Sequence, residues 1–345
     1  MIIACQSEEY GTFGSLNFKN VKVYHVNSIE NVDLLISDTL ECIHVNSFLR
    51  ANSDVKIFVY ALHKLIKNHC MVLAVNMEQY QWWTWKGYLR RLQWFYLFNV
   101  GIGRKIKAIG CTGRTGIIAF RKAAISSKRL FDFIYAVPAP DSYLLGNDSL
   151  LCNLINKANT VKFVILGQII SRKCILECIN VFNSINGNYT LEIIGSGVLE
   201  QQMLSLIKNN PRIHYHGKLM PLQARDILKC TDVLLQVSKL EGWGCTVNEA
   251  LMYGNRVIVS DSVGSRDLIS NRSFCGVTFE SGNWDDLKSC ILKEINRGTR
   301  SEKERALISS WAKCIYPEAE ADYFLKIIDY YSGKISSKPV APWQK

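Results

Sequence analysis

EGWGCTVNE, Glu241 to Glu249, is the stretch around which this chain is organised. Two carboxylates bracket a Gly-Trp-Gly turn and the opening of a helix. Upstream, TDVLLQV (Thr231–Val237) is an apolar run of strand length. Downstream, NEALMY (Asn248–Tyr253) continues in good helix formers until Gly254. The motif therefore sits at a strand–loop–helix junction. Gly242 and Gly244 let backbone approach a ligand closely. The helix behind them aims free N–H groups, those of Cys245 and Thr246, at whatever lies over the loop, and such a terminus suits a phosphate. Glu249, farther along that helix, lines one wall of a cleft. Taken alone, the loop reads as well as scaffold, because any α/β protein has glycine-bearing strand-to-helix loops.

The 345 residues leave room for two domains, each with its own core. With 48% hydrophobic and 21% charged residues, the composition is globular rather than disordered or fibrous. The net charge of +11 calls for an acidic partner: nucleic acid, phosphates or an anionic membrane face. The 12 cysteines are scattered singly, and MIIACQSEEY lacks the charged start and apolar run of a signal peptide. Reduced thiols and a cytoplasmic location are the expectation. Cys174 with Cys178, and His214 with His216, have no second pair at metal-site spacing, so no metal centre is expected.

From the start, short apolar runs alternate with amphipathic ones. VKVYHV (21–26), CIHVNSF (42–48), MVLAVN (71–76), IKAIGC (106–111) and LFDFIYAV (130–137) read as strands. Residues 55–67 and 116–124 read as helices between them. Such alternation predicts a parallel sheet with helices on its faces. Met1–Cys5 leads at once into Gly11-Thr12-Phe13-Gly14 and another strand, so this domain reads as shorter by a strand–helix unit than a full doubly wound one. No acidic residue lies between Glu78 and Asp132, while Lys86, Arg90, Arg91, Arg104, Lys105 and Lys107 accompany Trp82, Trp83, Trp85, Trp94, Phe95 and Phe98. That pattern fits an interfacial helix with Trp94, Phe95 and Phe98 inserted, or else a core with a solvated basic face. It argues against nucleic acid as the partner.

Residues 141–160 read as a linker. The alternation then resumes more cleanly: KFVILG (162–167), TLEIIG (190–195), RIHYHG (212–217), DVLLQV (232–237), RVIVSD (256–261) and GVTF (276–279) read as strands. Gly167 and Gly195 end their strands, where ligands sit in an open α/β sheet. Residues 309–333 form a last helical segment, broken near Pro317, with no local partner.

The succession GQIISRK, IIGSG, HGKLMPLQ, EGWGCTVNEAL, VIVSDSVGSRDLI resembles the nucleotide-binding domain of the retaining family 4 glycosyltransferases of GT-B fold. Glu241 and Glu249 match that family's Glu-x7-Glu motif. The resemblance is strong over 161–312 and weak in the first half. It implies two Rossmann-like doubly wound domains with the active site in the cleft between them. Residues 1–140 would bind the acceptor, 161–308 the nucleotide sugar, and 309–333 would cross back.

The resemblance also assigns roles. Glu249 would hold the ribose hydroxyls of the donor and Glu241 the hydroxyls of its sugar. Lys173, with Arg172 beside it, would neutralise the diphosphate. Gly242, Trp243, Gly244, Cys245 and Thr246 would supply backbone amides. Gly167, Gln168 and Gly195 would pass beneath the nucleotide. His44, Glu78 and Arg90 fall on the acceptor side. Gln168 stands where the family usually has arginine, and Asn46 where many members have a second histidine, which puts Arg172 forward as the replacement charge and leaves the acceptor chemistry open. No cofactor and no metal is implied, since fixed cations do a metal's work on the diphosphate. The activity implied is transfer of a hexose from a UDP- or GDP-sugar to a lipid-diphosphate-linked oligosaccharide at the inner face of an anionic membrane, in O-antigen, capsule or lipopolysaccharide synthesis. A catalytically inactive nucleotide-sugar-binding module, or another GT-B enzyme such as an epimerase, are the alternatives.

Overall fold

The computed structural model describes residues 2–5, 22–26, 28–46, 56–77, 84–140 and 159–345. Gly11–Gly14, Glu78, Trp82, Trp83 and most of the 141–160 linker lie outside the described residues. The chain divides into two compact units, Met1–Gly110 with Ile118–Phe131, and Cys111–Ile117 with Asp132–Lys345.

In the first half, strands β1 (Ile2–Cys5) and β2 (Lys22–His25) pair in parallel. Strands β3 (Ile43–Asn46), β4 (Met71–Met77), β5 (Ala108–Thr112) and β6 (Leu130–Phe133) form a four-stranded sheet in that order. Helices α1 (Ile29–Ser37), α2 (Lys56–Lys67), α3 (Trp85–Phe95) and α4 (Gly113–Lys122) alternate with them. The expected strand at 130–137 stops at Phe133, because the Ile134 N–H goes to Glu320 Oε1 (3.3 Å) instead of a ladder. Thr84 caps α3, accepting from the Gly87 N–H at 3.0 Å. Beyond Phe95 the helix widens into a π turn, Tyr96–Val100, and then tightens into a 3₁₀ turn, Ile102–Lys105. Arg129 pins this irregular stretch by donating to the carbonyls of Phe98, Gly103 and Ile106. Glycine is needed at 103, where a Cβ would lie 2.8 Å from the Leu97 carbonyl. Trp94 and Phe98 are buried against Phe120 and belong to the core, which corrects the expectation that they insert into lipid; Phe95 alone of those three is exposed.

The second half holds β7 (Val161–Leu166), β8 (Tyr189–Ile194), β9 (Ile213–Tyr215), β10 (Val233–Gln236), β11 (Arg256–Ser260) and β12 (Gly276–Phe279). Their order is β9-β8-β7-β10-β11-β12 and every pairing is parallel. This is the doubly wound order of dinucleotide-binding sheets. Strands β8, β10 and β11 are buried along their whole length, which is why they read as unbroken apolar runs. Helices α5 (Ile175–Asn183), α6 (Glu200–Ile207), α7 (Pro221–Cys230), α8 (Cys245–Met252) and α9 (Trp284–Arg297) connect them. Arg256, fully buried on β11, pairs with Glu294 of α9 at 2.5 Å and donates to the Gly298 carbonyl at 2.8 Å. Removing either partner would strand a buried charge, so the pair fixes where α9 lies on the sheet.

The tail is α10 (Glu302–Ala312), a 3₁₀ turn (Lys313–Ile315) and α11 (Pro317–Tyr331). The break before Pro317 follows from its missing N–H, harmless only in a first helical turn. Cys230 is disulfide-bonded, which departs from the expectation of reduced thiols throughout. Spacing along the chain cannot show a pairing made by its path.

Candidate functional site

The two sheet neighbours β7 and β10 send their connections in opposite directions, toward β8 and toward β11. A crevice opens at the carboxyl ends of strands at such a switch point. Gly167 follows β7 and the 237–244 loop follows β10, so both glycine-bearing segments border the same crevice. Gly195, after β8, packs so closely on this edge that a Cβ there would sit 1.8 Å from the Gly167 carbonyl, and its φ is +144°. Gln168, beside Gly167, is exposed.

A three-residue 3₁₀ turn, Ser171–Lys173, follows Gly167. It ends at Cys174, a buried non-glycine residue at φ +54°. Such a conformation persists only where the surroundings impose it. Here the Lys239 N–H donates to the Arg172 carbonyl at 3.0 Å and ties the turn to the loop after β10. The result is a convergence of charge. Arg172 Nη1 lies 2.8 Å from Glu241 Oε2 and donates equally to the Leu240 carbonyl. Lys173 Nζ pairs with the same Glu241 oxygen. Two cations against one carboxylate leave +2 − 1 = +1 at the mouth of the crevice. Lys173 and Glu241 are mostly covered and Arg172 is more open.

Gly244, at φ +94°, caps α8. A Cβ there would press to 3.0 Å from Val263 Cγ1 and 3.2 Å from Ser265 Oγ. The 241–244 loop is locked to the loop after β11: the Ser265 N–H donates to the Trp243 carbonyl at 2.9 Å, and a Cβ on Gly264 would reach 2.2 Å from the Gly242 carbonyl. The first amides of α8, those of Cys245 and Thr246, precede its first internal donor and face outward. Thr246 turns its hydroxyl inward to Gln236 Oε1 (2.9 Å), and Cys245 is exposed. Trp243 carries a buried side chain. Its indole is 2% exposed, donates to Asn248 Oδ1 at 2.9 Å and packs over Gly113. Asn248 in turn donates to the Tyr135 carbonyl at 3.1 Å.

Glu249 projects from α8 toward Arg225 of α7, whose Nη2 is 3.3 Å away. Burial raises the Glu249 carboxyl above its ordinary pKa and the Arg225 guanidinium opposes that rise. On β9, His214 and His216 are not paired with each other but grip the buried Glu192 at 3.0 and 2.7 Å. Burial raises Glu192, the two imidazoles outweigh it, and its carboxyl ends below the ordinary value. In the other unit, His44 on β3 is half-buried with Nε2 2.9 Å from the Thr39 carbonyl, and burial lowers its pKa. Arg90 is exposed on α3. Among the described residues no group of three or more His, Cys, Asp or Glu is placed to hold a metal.

Residues 154–310 match the family model of the glycosyl transferases group 1. Among solved structures the chain is similar to Anabaena Alr3699/HepE in complex with UDP, with TM-score 0.68 and 13% identity over 91% of this chain and 86% of that one. It is similar to the lipopolysaccharide outer core galactosyltransferase WaaB in its apo form, with TM-score 0.65 and 15% identity over 92% and 85%. A glycosyltransferase from Rickettsia africae gives TM-score 0.69 and 14% identity over 90% and 84%. The fold is GT-B. Identities this low speak to fold alone. A comparison with curated protein sequences gives no match.

Within the second half of this GT-B chain, sequence reading misses Arg225, Asn248 and the Glu192 clasp. Arg225 lies 24 residues from Glu249, and no periodicity links two helices that meet only in space. Asn248 had a faint signal: a polar residue inside the otherwise apolar helix face behind Trp243.

Proposed function

We propose that this chain is a retaining glycosyltransferase that moves a hexose from a UDP- or GDP-sugar to a hydroxyl of a lipid-diphosphate-linked glycan in envelope polysaccharide synthesis, without a metal ion. One observation carries the reading: Arg172 and Lys173 converge on Glu241 at the switch point, beside the amino terminus of α8. The family match over 154–310 and a fold shared with a UDP-bound protein support it. The likeness to an outer core galactosyltransferase of lipopolysaccharide supports the acceptor class.

The chemistry follows from the charges. As the bond from sugar C1 to phosphate oxygen breaks, its electron pair stays on the diphosphate. Lys173, Arg172 and the amides of Cys245 and Thr246 stabilise that charge, each preorganised donor contributing about 3 kcal/mol. Glu241, held by the two cations, accepts from sugar hydroxyls, and Glu249, steadied by Arg225, accepts from the ribose. The acceptor hydroxyl attacks from the face the diphosphate leaves, and its proton passes to the departing phosphate oxygen. The enzyme works at the inner face of an anionic membrane, in the cytoplasm. No helix among the described residues is long and apolar enough to cross a bilayer.

The test is a panel of UDP-, GDP- and dTDP-sugars, read first by thermal stabilisation and then by donor hydrolysis and transfer in excess EDTA. One donor should both stabilise and turn over, with the anomeric configuration of the product retained. Stabilisation with no turnover under any condition would leave a binding module. Activity lost to EDTA and restored by magnesium would overturn metal independence.

A further inference from the structure

Beyond α11 the chain forms a short 3₁₀ turn, Pro342–Gln344, with Trp343 buried. Arg272 fastens this turn. It donates to the carbonyls of Trp343 (3.1 Å) and Lys345 (2.7 Å) and stacks on Trp311. Gln344 donates to Asp132 Oδ2. Between the turn, Asp132 and a second 3₁₀ turn, Gly264–Leu268, lies a partly enclosed cavity of about 330 Å3, all of it within the second compact unit. Its wall includes Arg114, Asp132, Asp267, Asn271, Trp343 and Gln344. None of these belongs to the segments 167–173 and 241–249 that border the crevice. The two places meet only through Gly113, next to Arg114. A Cβ on Gly113 would come within 2.9 Å of Trp243 Cζ3 and 3.1 Å of Asp267 Oδ2.

Two buried polar atoms in this wall are left over by the fold. Asp132 is 4% exposed, and its Oδ1 accepts no hydrogen bond among the described residues. Trp343 Nε1 donates none among them. The indole N–H stands close enough to the Asp132 carboxyl to favour its charged form, yet in a geometry short of a bond. Folded chains rarely leave such atoms without a partner, and here an acceptor and a donor share one cavity. Charge narrows what satisfies them. Arg114, Arg272 and Lys345 against Asp132 and Asp267 give +3 − 2 = +1, and Arg272 is already bonded to backbone carbonyls. Such a wall has no strong field of one sign to draw in a simple ion. A ligand hydroxyl suits it, since one group donates to a carboxylate and accepts from an indole N–H. Asp267, Asn271 and Gln344 add donors and acceptors around the same space, a lining for several adjacent hydroxyls. The volume is at the small end of ligand pockets, which run upward from about 300 Å3.

We propose that this cavity is an accessory saccharide site, in which Asp132 and Trp343 bind neighbouring hydroxyls of one sugar unit of a glycan. It is separate from the donor crevice and rests on the proposed function only for the presence of a glycan. Its test needs no donor and no transfer reaction, so either reading can fail alone.

The experiment titrates the full chain with glucose, galactose, N-acetylglucosamine and rhamnose, and with short oligosaccharides of each, followed by ligand-observed NMR. At least one should bind, and saturating UDP or GDP should leave that binding unchanged. Ammonium and inorganic phosphate should not compete with it. Trp343→Phe keeps an aromatic ring and removes an N–H that bonds nothing in the fold, so Tm should hold while affinity for the sugar falls about five-fold. Asp132→Asn removes the charged acceptor and should weaken the sugar by a similar factor, again in a folded chain. Failure of every sugar to bind, or wild-type affinity in either variant, would overturn the proposal. Competition by UDP or GDP would also overturn it, by placing the sugar in the crevice, and competition by either ion would make the cavity an ion site instead.

Discussion

Lys173 and Arg172 share one oxygen of Glu241, and this makes their roles separable. Arg172 also holds the Leu240 carbonyl, whereas Lys173 pairs with the Glu241 carboxylate, so Lys173 is the freer to follow a diphosphate. Lys173→Ala is expected to lower kcat about 100-fold with little change in Tm, since one charge-stabilising contact contributes about 3 kcal/mol. Wild-type turnover in that variant would move the role to Arg172. Glu249→Gln is expected to weaken free nucleoside diphosphate about ten-fold while leaving kcat at saturation nearly unchanged, because ribose contacts are alike in ground and transition states. Calorimetry showing equal affinities would end the ribose assignment. The glycines offer a contrast of their own. Gly195→Ala puts a Cβ 1.8 Å from a backbone carbonyl, whereas Gly217→Ala meets nothing within 4 Å and bears only its φ of +69°. Gly195→Ala should fail to fold as a stable chain, and Gly217→Ala should cost about 1 kcal/mol in urea unfolding.

Between elements, the loop from Glu241 to Gly244 owes its shape to a buried chain of hydrogen bonds running from Trp243 through Asn248 to the Tyr135 carbonyl. Trp243→Phe keeps most of the ring but leaves Asn248 Oδ1 without its donor. A loss of about 1–3 kcal/mol is expected, as for a buried polar group deprived of its partner. If urea unfolding shows no change, the bond contributes nothing net. Strands in the second half are legible almost to the residue because a parallel sheet covered on both faces demands continuous apolar runs. The strand expected at 130–137 ends at Phe133: Ile134 to Val137 are as apolar as what precedes them, yet a carboxylate from α11 claims the first of their amides.

At the scale of the whole molecule, Asp132 and Glu320 are the described acids that burial raises furthest. Burial, with Asp267 adding, pushes the Asp132 carboxyl up to about 7. Burial likewise raises Glu320 to about 7, the Ile134 N–H opposing and Asp132 adding. Unfolded carboxyls titrate near about 4. Between about pH 4 and pH 7 the folded chain therefore holds protons that the unfolded chain has released, and this contribution to stability falls as pH rises through that window. Glu304, held down to about 2, works in the opposite sense, so the informative quantity is a difference between proteins. Asp132→Asn should exceed wild type by on the order of 2 kcal/mol at pH 8, with the gap closing toward pH 4. Urea midpoints across that range would show it; a gap independent of pH would rule out the linkage.

By itself the sequence determined the α/β class, the strand–helix alternation and the place of the glycine-bearing loop between β10 and α8. Those depend on local patterns: apolar runs, glycines that end strands, and two glutamates at fixed spacing on either side of a helix start. Tertiary structure alone decided which charges meet. Arg172 and Lys173 are 69 and 68 residues from Glu241, Arg225 is 24 from Glu249, and Asp132 is 135 from Asp267 by numbering. It also decided which aromatics are core and which are surface. Trp85 and Trp94 look alike in a tryptophan-rich run, but one is 71% exposed and the other 8%. Periodicity marks the faces of a helix, and only the packing around it determines which face is covered.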